Sequence, residues 1–291
     1  MKMKGFWVAA GLTMLGAHMA HARDMRAGGK LLLTSGVSSV EGTGGGGLAS
    51  WALIDGDETD AGVGASVHVT YVALPDFDLS SYGGAIGAFD RVELSYAHQN
   101  FDTRAAGAAL GLGRGFILSQ DVIGAKLRVV GDAVYGQDTM LPQISIGVQH
   151  KRAAQAAVLA AVGATSSSGT DFYVAATKVI LSRSLVLNAT ARATKANQLG
   201  LLGFGGDRHR GYSLQVEASA GMLLSRRLLV GGEFRTRPDN LGFAKEDHAI
   251  DFFAAYAVAR NLQFTAAFVD LGSIATVKRQ RGAFLSLRTS L

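Results

Sequence analysis

The sequence contains no cysteine, only three prolines and few charged residues, 18% of the chain. The absence of cysteine excludes a disulfide scaffold and thiolate metal sites such as zinc fingers. The surface of a soluble protein normally carries about 25–35% charged residues, so this chain is poorly charged for one. No run of about 18 or more apolar residues occurs, so no transmembrane helix is predicted.

Hydrophobic residues and glycine are abundant instead. Hydrophobic residues make up 48% of the 291 positions, and the 38 glycines are roughly twice the usual share. The glycines follow no collagen period, and the length suits one large domain or two ordinary ones. Because the hydrophobic residues are spread in short pieces, the composition favours an all-β protein in contact with an unusual solvent.

The first 22 residues have the features of a secretory signal peptide. Two lysines open the segment, an apolar stretch covers residues 5–15, and Ala20 and Ala22 supply the small residues that a signal peptidase reads. An amphipathic helix is the alternative, but the stretch is too uniformly apolar for one. We therefore predict a cleaved signal peptide over residues 1–22 and one domain over residues 23–291.

The rest of the chain alternates between apolar and polar residues, which is the pattern of β-strands. In residues 212–224, for example, Leu214 and Val216 face one side, whereas Gln215 and Glu217 face the other. These stretches are about 9–13 residues long, which suits a membrane-spanning strand better than an average globular strand. Charges in mid-strand would be costly in a sandwich core. An antiparallel transmembrane β-barrel, apolar outside and polar inside, explains both features.

Counting the alternating stretches predicts about fourteen strands, with twelve possible if the two weakest, 47–55 and 81–89, are not strands. Short turns alternate with longer loops, as in outer-membrane barrels, and an even number places both termini on the periplasmic side. The predicted strands cover residues 30–40, 47–55, 62–74, 81–89, 92–101, 121–131, 143–152, 171–181, 185–197, 212–224, 228–237, 248–259, 262–271 and 282–291.

Several stretches carry a family resemblance, among them GGKLLLTSGVSSVEG and NQLGLLGFGGDRHRGYSLQ. In full they cover residues 28–42, 82–103, 131–147, 170–178, 197–215, 237–253 and 267–275. Through them the chain resembles a proteobacterial family of uncharacterised outer-membrane β-barrel proteins. The resemblance implies a secreted barrel and brings no activity or site residues with it. The final residue departs from the pattern of such barrels, since Leu291 stands where an aromatic residue is expected.

Nine charged side chains are predicted to face the lumen. They are Glu93, Lys126, Arg128, Arg192, Glu217, Glu233, Arg235, Asp251 and Arg288. In one interpretation they line a water-filled or solute-binding lumen and set its ion preference. In the other they form cross-strand ion pairs that fill a narrow lumen. A barrel of about fourteen strands is wider than the eight-stranded kind that side chains alone can fill, which favours the first.

No catalytic, cofactor or metal site is predicted. The histidines are dispersed, and neither a G-x-S-x-G nor an H-E-x-x-H pattern occurs. A hydrolase built on His98 and a neighbouring serine is a remote alternative. Aromatic side chains with outward parity, Trp51 and Tyr256 among them, are expected to face lipid.

We therefore predict a non-enzymatic barrel in the outer membrane of a Gram-negative bacterium, reached by export through the periplasm. Its expected role is that of a passive pore or small-solute uptake channel, and the alternative is a non-conducting structural or surface-interaction barrel. The expected partners are outer-membrane lipid, a small solute and the barrel-assembly machinery, which reads the C-terminal strand. Nucleic acid is not expected, because the net charge of +5 is small and scattered. No plug is expected before the first strand.

Overall fold

The protein is described by a computed structural model for residues 30–37 and 40–291, and it forms one closed antiparallel β-barrel. The strands are β1 (Val63–Ala73), β2 (Asp78–Ala88), β3 (Val92–Asp102), β4 (Ile117–Val130), β5 (Gln143–Ala153), β6 (Ser168–Ile180), β7 (Leu185–Thr194), β8 (Ser213–Ser225), β9 (Leu228–Arg235), β10 (Ala249–Ala259), β11 (Leu262–Asp270) and β12 (Arg281–Ser290). Each pairs with its neighbours in sequence, and β12 returns to β1 to close the barrel. The predicted fold is confirmed, with twelve strands.

The wall alternates as the sequence predicted, with apolar side chains outside and polar ones inside. In β10, Phe252 is 63% exposed on the outer face, whereas the adjacent Asp251 is buried inside. Tyr71, Tyr96 and Phe268 are likewise exposed on the outer face. Such an apolar outer surface is the one that a transmembrane barrel presents to lipid.

The two ends of the barrel differ in the length of their connections. At one end, which we call the turn end, β2–β3, β6–β7, β8–β9 and β10–β11 are joined by two to four residues, and β4–β5 by the longer stretch 131–142. At the other, the loop end, five connections of ten or more residues accompany the short link 74–77. The start of β1 and the end of β12 lie together at the turn end.

Two short helices, α1 (Ala106–Ala109) and α2 (Ala156–Ala161), lie in the loops after β3 and β5. In the part of the chain that the structure describes, no helix has the length and apolarity needed to cross a membrane.

The described residues before β1, 30–37 and 40–62, lie largely inside the barrel, and we call them the internal segment. Two predicted strands, 30–40 and 47–55, are therefore wrong, because none of their described residues belongs to the wall. The other doubtful stretch, 81–89, is a strand, since it lies almost wholly within β2. The expectation that no plug precedes the first strand is also wrong.

Apolar packing anchors the internal segment near the turn end. Leu33 and Trp51, each 1% exposed, join a buried cluster with the inward side chains of Val179, Leu229 and Phe253. Trp51 was expected on the lipid-facing surface, and this expectation is wrong. The apolar side chains around Trp51 lie in the lumen. Burial there removes about as much of the indole surface from water as contact with lipid would.

A second apolar cluster closes the loop end. Val40 of the internal segment packs there with Phe77 and Leu202 from two loops and with Phe101 and Phe284 from the wall. The loops therefore fold inwards over the lumen instead of standing away from it.

Candidate functional site

The nine predicted lumen charges lie in the wall around the internal segment. Eight are buried, all except Arg128. Arg128 lies at the turn end, where it donates to Gly131 O at 2.7 Å and forms ion pairs with Asp90 and Asp132. Seven of the other eight bind the internal segment directly. Asp251, the eighth, faces Glu233 across the β9–β10 pair.

Glu93 and Lys126 form the first contact with the segment. They lie opposite each other on β3 and β4, with Nζ and Oε2 2.9 Å apart. Glu93 accepts hydrogen bonds from Thr43 Oγ1 at 2.5 Å and from Asp55 N at 2.8 Å. Lys126 donates to Leu53 O at 2.7 Å. Both side chains also bind the backbone of Gly44, so one wall ion pair binds the segment at four residues.

Arg192 and Glu217 form a second contact around Ser50. Arg192 Nε lies 2.5 Å from Glu217 Oε1, and its Nη2 donates to Ser50 Oγ at 2.8 Å. The amide of Ser50 donates to Glu217 Oε2 at 2.8 Å. The guanidinium also stacks over the ring of Tyr173, 4.7 Å from its centroid. Arginine suits this position because its planar fork binds several acceptors at once and stacks on aromatic faces.

Glu233 and Arg235 on β9 form the third contact. Glu233 accepts from Leu48 N at 2.7 Å and from Trp51 Nε1 at 3.1 Å. Arg235 donates from Nη1 to Leu48 O and to Glu41 Oε2, both at 2.9 Å. Backbone groups of a buried irregular segment need such partners, because leaving them unpaired costs about 1–3 kcal/mol each.

Near the turn end, Arg288 forms the fourth contact. It makes an ion pair with Asp55 and lies 3.8 Å from an oxygen of Asp57. Lys30, at the start of the segment, forms ion pairs with Glu58 and with Asp90 of the β2–β3 turn. Charged contacts therefore run along the segment from the turn end to its innermost part.

Sequence reasoning missed the group at the centre of this network, Glu41. This carboxylate is 3% exposed and receives Lys151 as well as Arg235, with Arg192 4.0 Å away. Lys151 also pairs with Asp171 at 2.9 Å. The inward parity of β5 and β6 would have found Lys151 and Asp171. Glu41 gave no signal, since it fell in the connection between two stretches predicted to be strands, 30–40 and 47–55.

The histidine behind the hydrolase alternative lies on the outer face near the loop end. Its Nδ1 lies 2.8 Å from Asp121 Oδ1, and its Nε2 is 3.3 Å from Asn100 Oδ1. Both ring nitrogens of His98 are thus occupied by groups other than a serine hydroxyl. Among the described residues, no cluster of three or more histidine and acidic side chains is placed to hold a metal ion.

Comparisons with known proteins agree with this architecture. A family model described as a protein of unknown function, DUF3034, matches residues 34–288. No protein of curated function matches the sequence. The chain is similar in structure to the KdgM porin, at 8% identity, 78% of this chain, 99% of the porin and a TM-score of 0.50. The NanC porin (8%, 77% and 98%, TM-score 0.49) and an outer membrane channel from Pseudomonas putida F1 (11%, 78% and 95%, TM-score 0.46) are also similar. At these identities the likeness shows the fold.

Proposed function

The chain belongs to the DUF3034 family, whose function is unknown, and we propose that it is an outer-membrane channel for a small solute, closed at rest by the internal segment. The observation that carries the proposal is the character of the wall around the internal segment. That wall is polar and charged, and the segment is not one of its strands. A polar lumen is typical of barrels that conduct. Buried ion pairs often stabilise a protein no better than apolar side chains of similar volume, so stability alone does not account for this lining.

The path of the internal segment is consistent with its leaving the lumen. It begins at Lys30 and ends at the start of β1, and both lie at the turn end. It is joined to the wall through one peptide linkage, between Gly62 and Val63, and otherwise through non-covalent contacts. The segment can therefore withdraw through the turn end without breaking a pairing between wall strands.

The remaining features of the proposal concern orientation and assembly. We place the turn end in the periplasm and the loops outside, because short periplasmic turns and long outer loops are the rule in such barrels. The barrel-assembly machinery would receive the C-terminal strand, β12. The proposed channel performs no chemistry of its own.

The filled lumen favours a second candidate, a non-conducting structural barrel in which the segment is a permanent core. Removal of residues 30–58 separates the two. We expect single-channel recordings in planar bilayers to show steady conductance for the shortened barrel and rare openings for the full chain. Heat-modifiable mobility in gels would establish that the variant has folded. A folded, shortened barrel with no conductance would overturn the channel proposal.

A reversible lock tests the full-length channel. Because the chain has no cysteine, Ala52→Cys with Ser145→Cys creates the only two thiols, at positions where Ser145 Oγ now donates to Ala52 O at 2.6 Å. We expect solute entry into vesicles to stop on oxidation and to return on reduction. The Ala52→Cys single variant is the matched control and should not respond. Equal flux in both redox states of a cross-linked double variant would contradict a role for segment movement.

A further inference from the structure

A cavity of about 440 Å³ lies at the centre of the loop end. All six loops contribute to its lining, Phe77 from the shortest and Phe243 from the loop before β10, and Phe101 and Leu118 of the wall extend it inwards. Because all six loops line it, the cavity lies within the cover that the loops form at this end of the barrel. Its volume falls within the range of about 300–1,000 Å³ that is common for small-molecule sites.

The lining is apolar except for Thr103, and that hydroxyl already donates to Phe116 O at 2.8 Å. A second, much smaller cavity of about 40 Å³ shares Phe101 and Leu202 with the first and extends to Leu48 of the internal segment. The two cavities therefore lie side by side between the loops and the part of the segment that Glu233 and Arg235 hold.

The polar groups that line the smaller cavity already have partners within the protein. Arg235 binds Glu41 and Leu48 O, as described above. Arg237 donates to Asp247 O at 2.7 Å, to Gln198 Oε1 at 3.0 Å and to Leu271 O at 2.5 Å. A charged or strongly polar ligand would lose its hydration here without gaining a hydrogen bond, which is unfavourable. An uncharged apolar ligand has no such cost.

We infer that the loop end carries a binding site for a small, uncharged apolar molecule, which enters between α2 and the loop before β10. The inference rests on the proposed channel for its biological meaning, since it names the class of solute that the channel would admit. The binding step itself does not require the segment to move.

Helix α2 provides a matched pair of variants. Ala161 is exposed and lines the cavity, whereas Ala160 is exposed but lies outside the lining. Ala161→Trp should fill the cavity, and Ala160→Trp adds the same side chain to the same helix on another face. Both changes are at exposed positions of a short loop helix, so neither removes a contact from the barrel core.

The probe is N-phenyl-1-naphthylamine, an uncharged dye that fluoresces in apolar surroundings, added to the full chain in lipid nanodiscs. We expect saturable binding above that of empty nanodiscs, unchanged by Ala160→Trp and weakened at least about tenfold by Ala161→Trp. Naphthalene should displace the dye, and a short-chain phosphatidylcholine should not. Displacement by the phospholipid alone would assign the site to lipid acyl chains and overturn the inference, as would fluorescence no greater than that of empty nanodiscs.

The two proposals fail in different ways. Dye binding together with no conductance of the folded, shortened barrel would leave the apolar site standing and remove the channel. Conductance of the shortened barrel without any dye binding would leave the channel standing and remove the apolar site.

Discussion

Four consecutive glycines of the internal segment, residues 44–47, pass close to the wall and to other parts of the segment. A Cβ atom added to Gly45 would lie 2.3 Å from Ala49 O, and one added to Gly46 would lie 1.9 Å from Glu233 Oε1. The first neighbour is backbone and cannot rotate away. The second is a carboxylate that several hydrogen bonds already hold. The close approach of segment and wall therefore depends on the absence of side chains here.

Gly45→Ala is expected to displace the segment while leaving the barrel intact. The clash with Ala49 O and the backbone nitrogen of Trp51 forces this part of the segment to move, so we expect the indole to become accessible to water. We expect its emission to shift to the red and its quenching by acrylamide to increase, with unchanged strand content by circular dichroism. Gly211→Ala is the control, because its nearest neighbour is the ring of His209, a mobile side chain. Unchanged quenching in Gly45→Ala would show that the segment tolerates the methyl group.

Glu246 makes the loop end sensitive to pH. Burial raises the pKa of this carboxyl to about 7, although Arg237 opposes the shift, and its Oε1 accepts from Gln198 N at 2.8 Å. In the unfolded chain the group titrates near 4.5, so between pH 4.5 and 7 the folded loop retains a proton that the unfolded one has lost. The stability of the loop therefore falls as the pH rises through this window.

Replacing that carboxyl should remove the dependence. In Glu246→Gln we expect the protection of the Gln198 amide from hydrogen exchange, corrected for the intrinsic rate, to be nearly constant between pH 5 and 8. In the unmodified protein it should decline. Asp138→Asn, an exposed change at the turn end, should keep the decline. A persistent decline in Glu246→Gln would assign the pH dependence to another group.

At the residue scale, the alternation of apolar and polar residues predicted which charged side chains face inwards but not what they bind. The parity of β3, β4 and β9 was enough to place Glu93, Lys126 and Glu233 inside. It gave no information on what they bind, because the partners are backbone amides and carbonyls of a segment without regular structure. Only the folded arrangement brings Ser50 between Arg192 and Glu217, which lie more than 140 positions away in the chain.

At the scale of elements, the strands from residue 63 onwards follow from the sequence, whereas the internal segment does not. Residues 30–40 and 47–55 contain apolar side chains spaced like those of a strand, and each stretch has the length of one. Burial against the lumen wall and burial in lipid demand similar residues, so the pattern cannot separate them. The glycine run at 44–47 was the available sign that this stretch does not pair in a sheet.

The outer face of β10 offers a test of its contact with lipid. Ala254 lies at mid-strand with its side chain outwards, and Ile250 lies on the same face near the loop end. Ala254→Arg should lower the free energy of unfolding in vesicles by about 2–4 kcal/mol, and Ile250→Arg by about 0–1 kcal/mol, since the cost of a charge falls towards the interface. Denaturant titration measures both. Equal losses of unfolding free energy in the two variants would indicate that Ala254 does not lie deeper in the bilayer than Ile250.

At the scale of the whole molecule, the barrel and its internal segment are two parts held by different forces. The wall is held by continuous backbone pairing, whereas the segment is held by ion pairs, hydrogen bonds and a small apolar cluster. Local unfolding usually begins in the part with fewer continuous contacts. We therefore expect the segment to leave at lower denaturant concentration than the wall strands.

The position of the tryptophans makes that order measurable. The chain has two, Trp7 in the predicted signal peptide and Trp51 in the segment, so a chain starting at Arg23 reports on the segment alone. In guanidinium titrations its fluorescence should change before the circular dichroism of the strands. Coincident transitions would instead mean that barrel and segment unfold as one cooperative unit.

The seam between β1 and β12 joins residues that are far apart in the chain, with Ser66 opposite Ser290. Pairing over such a separation is slow, because a long loop must close before any contact forms. Until the seam forms, the charged inner faces of the strands lie open on an unfinished sheet. The internal segment, made before every strand, carries the partners for those charges. We therefore expect the lumen to be filled while the barrel forms, with the sheet closing around the internal segment and the seam forming last.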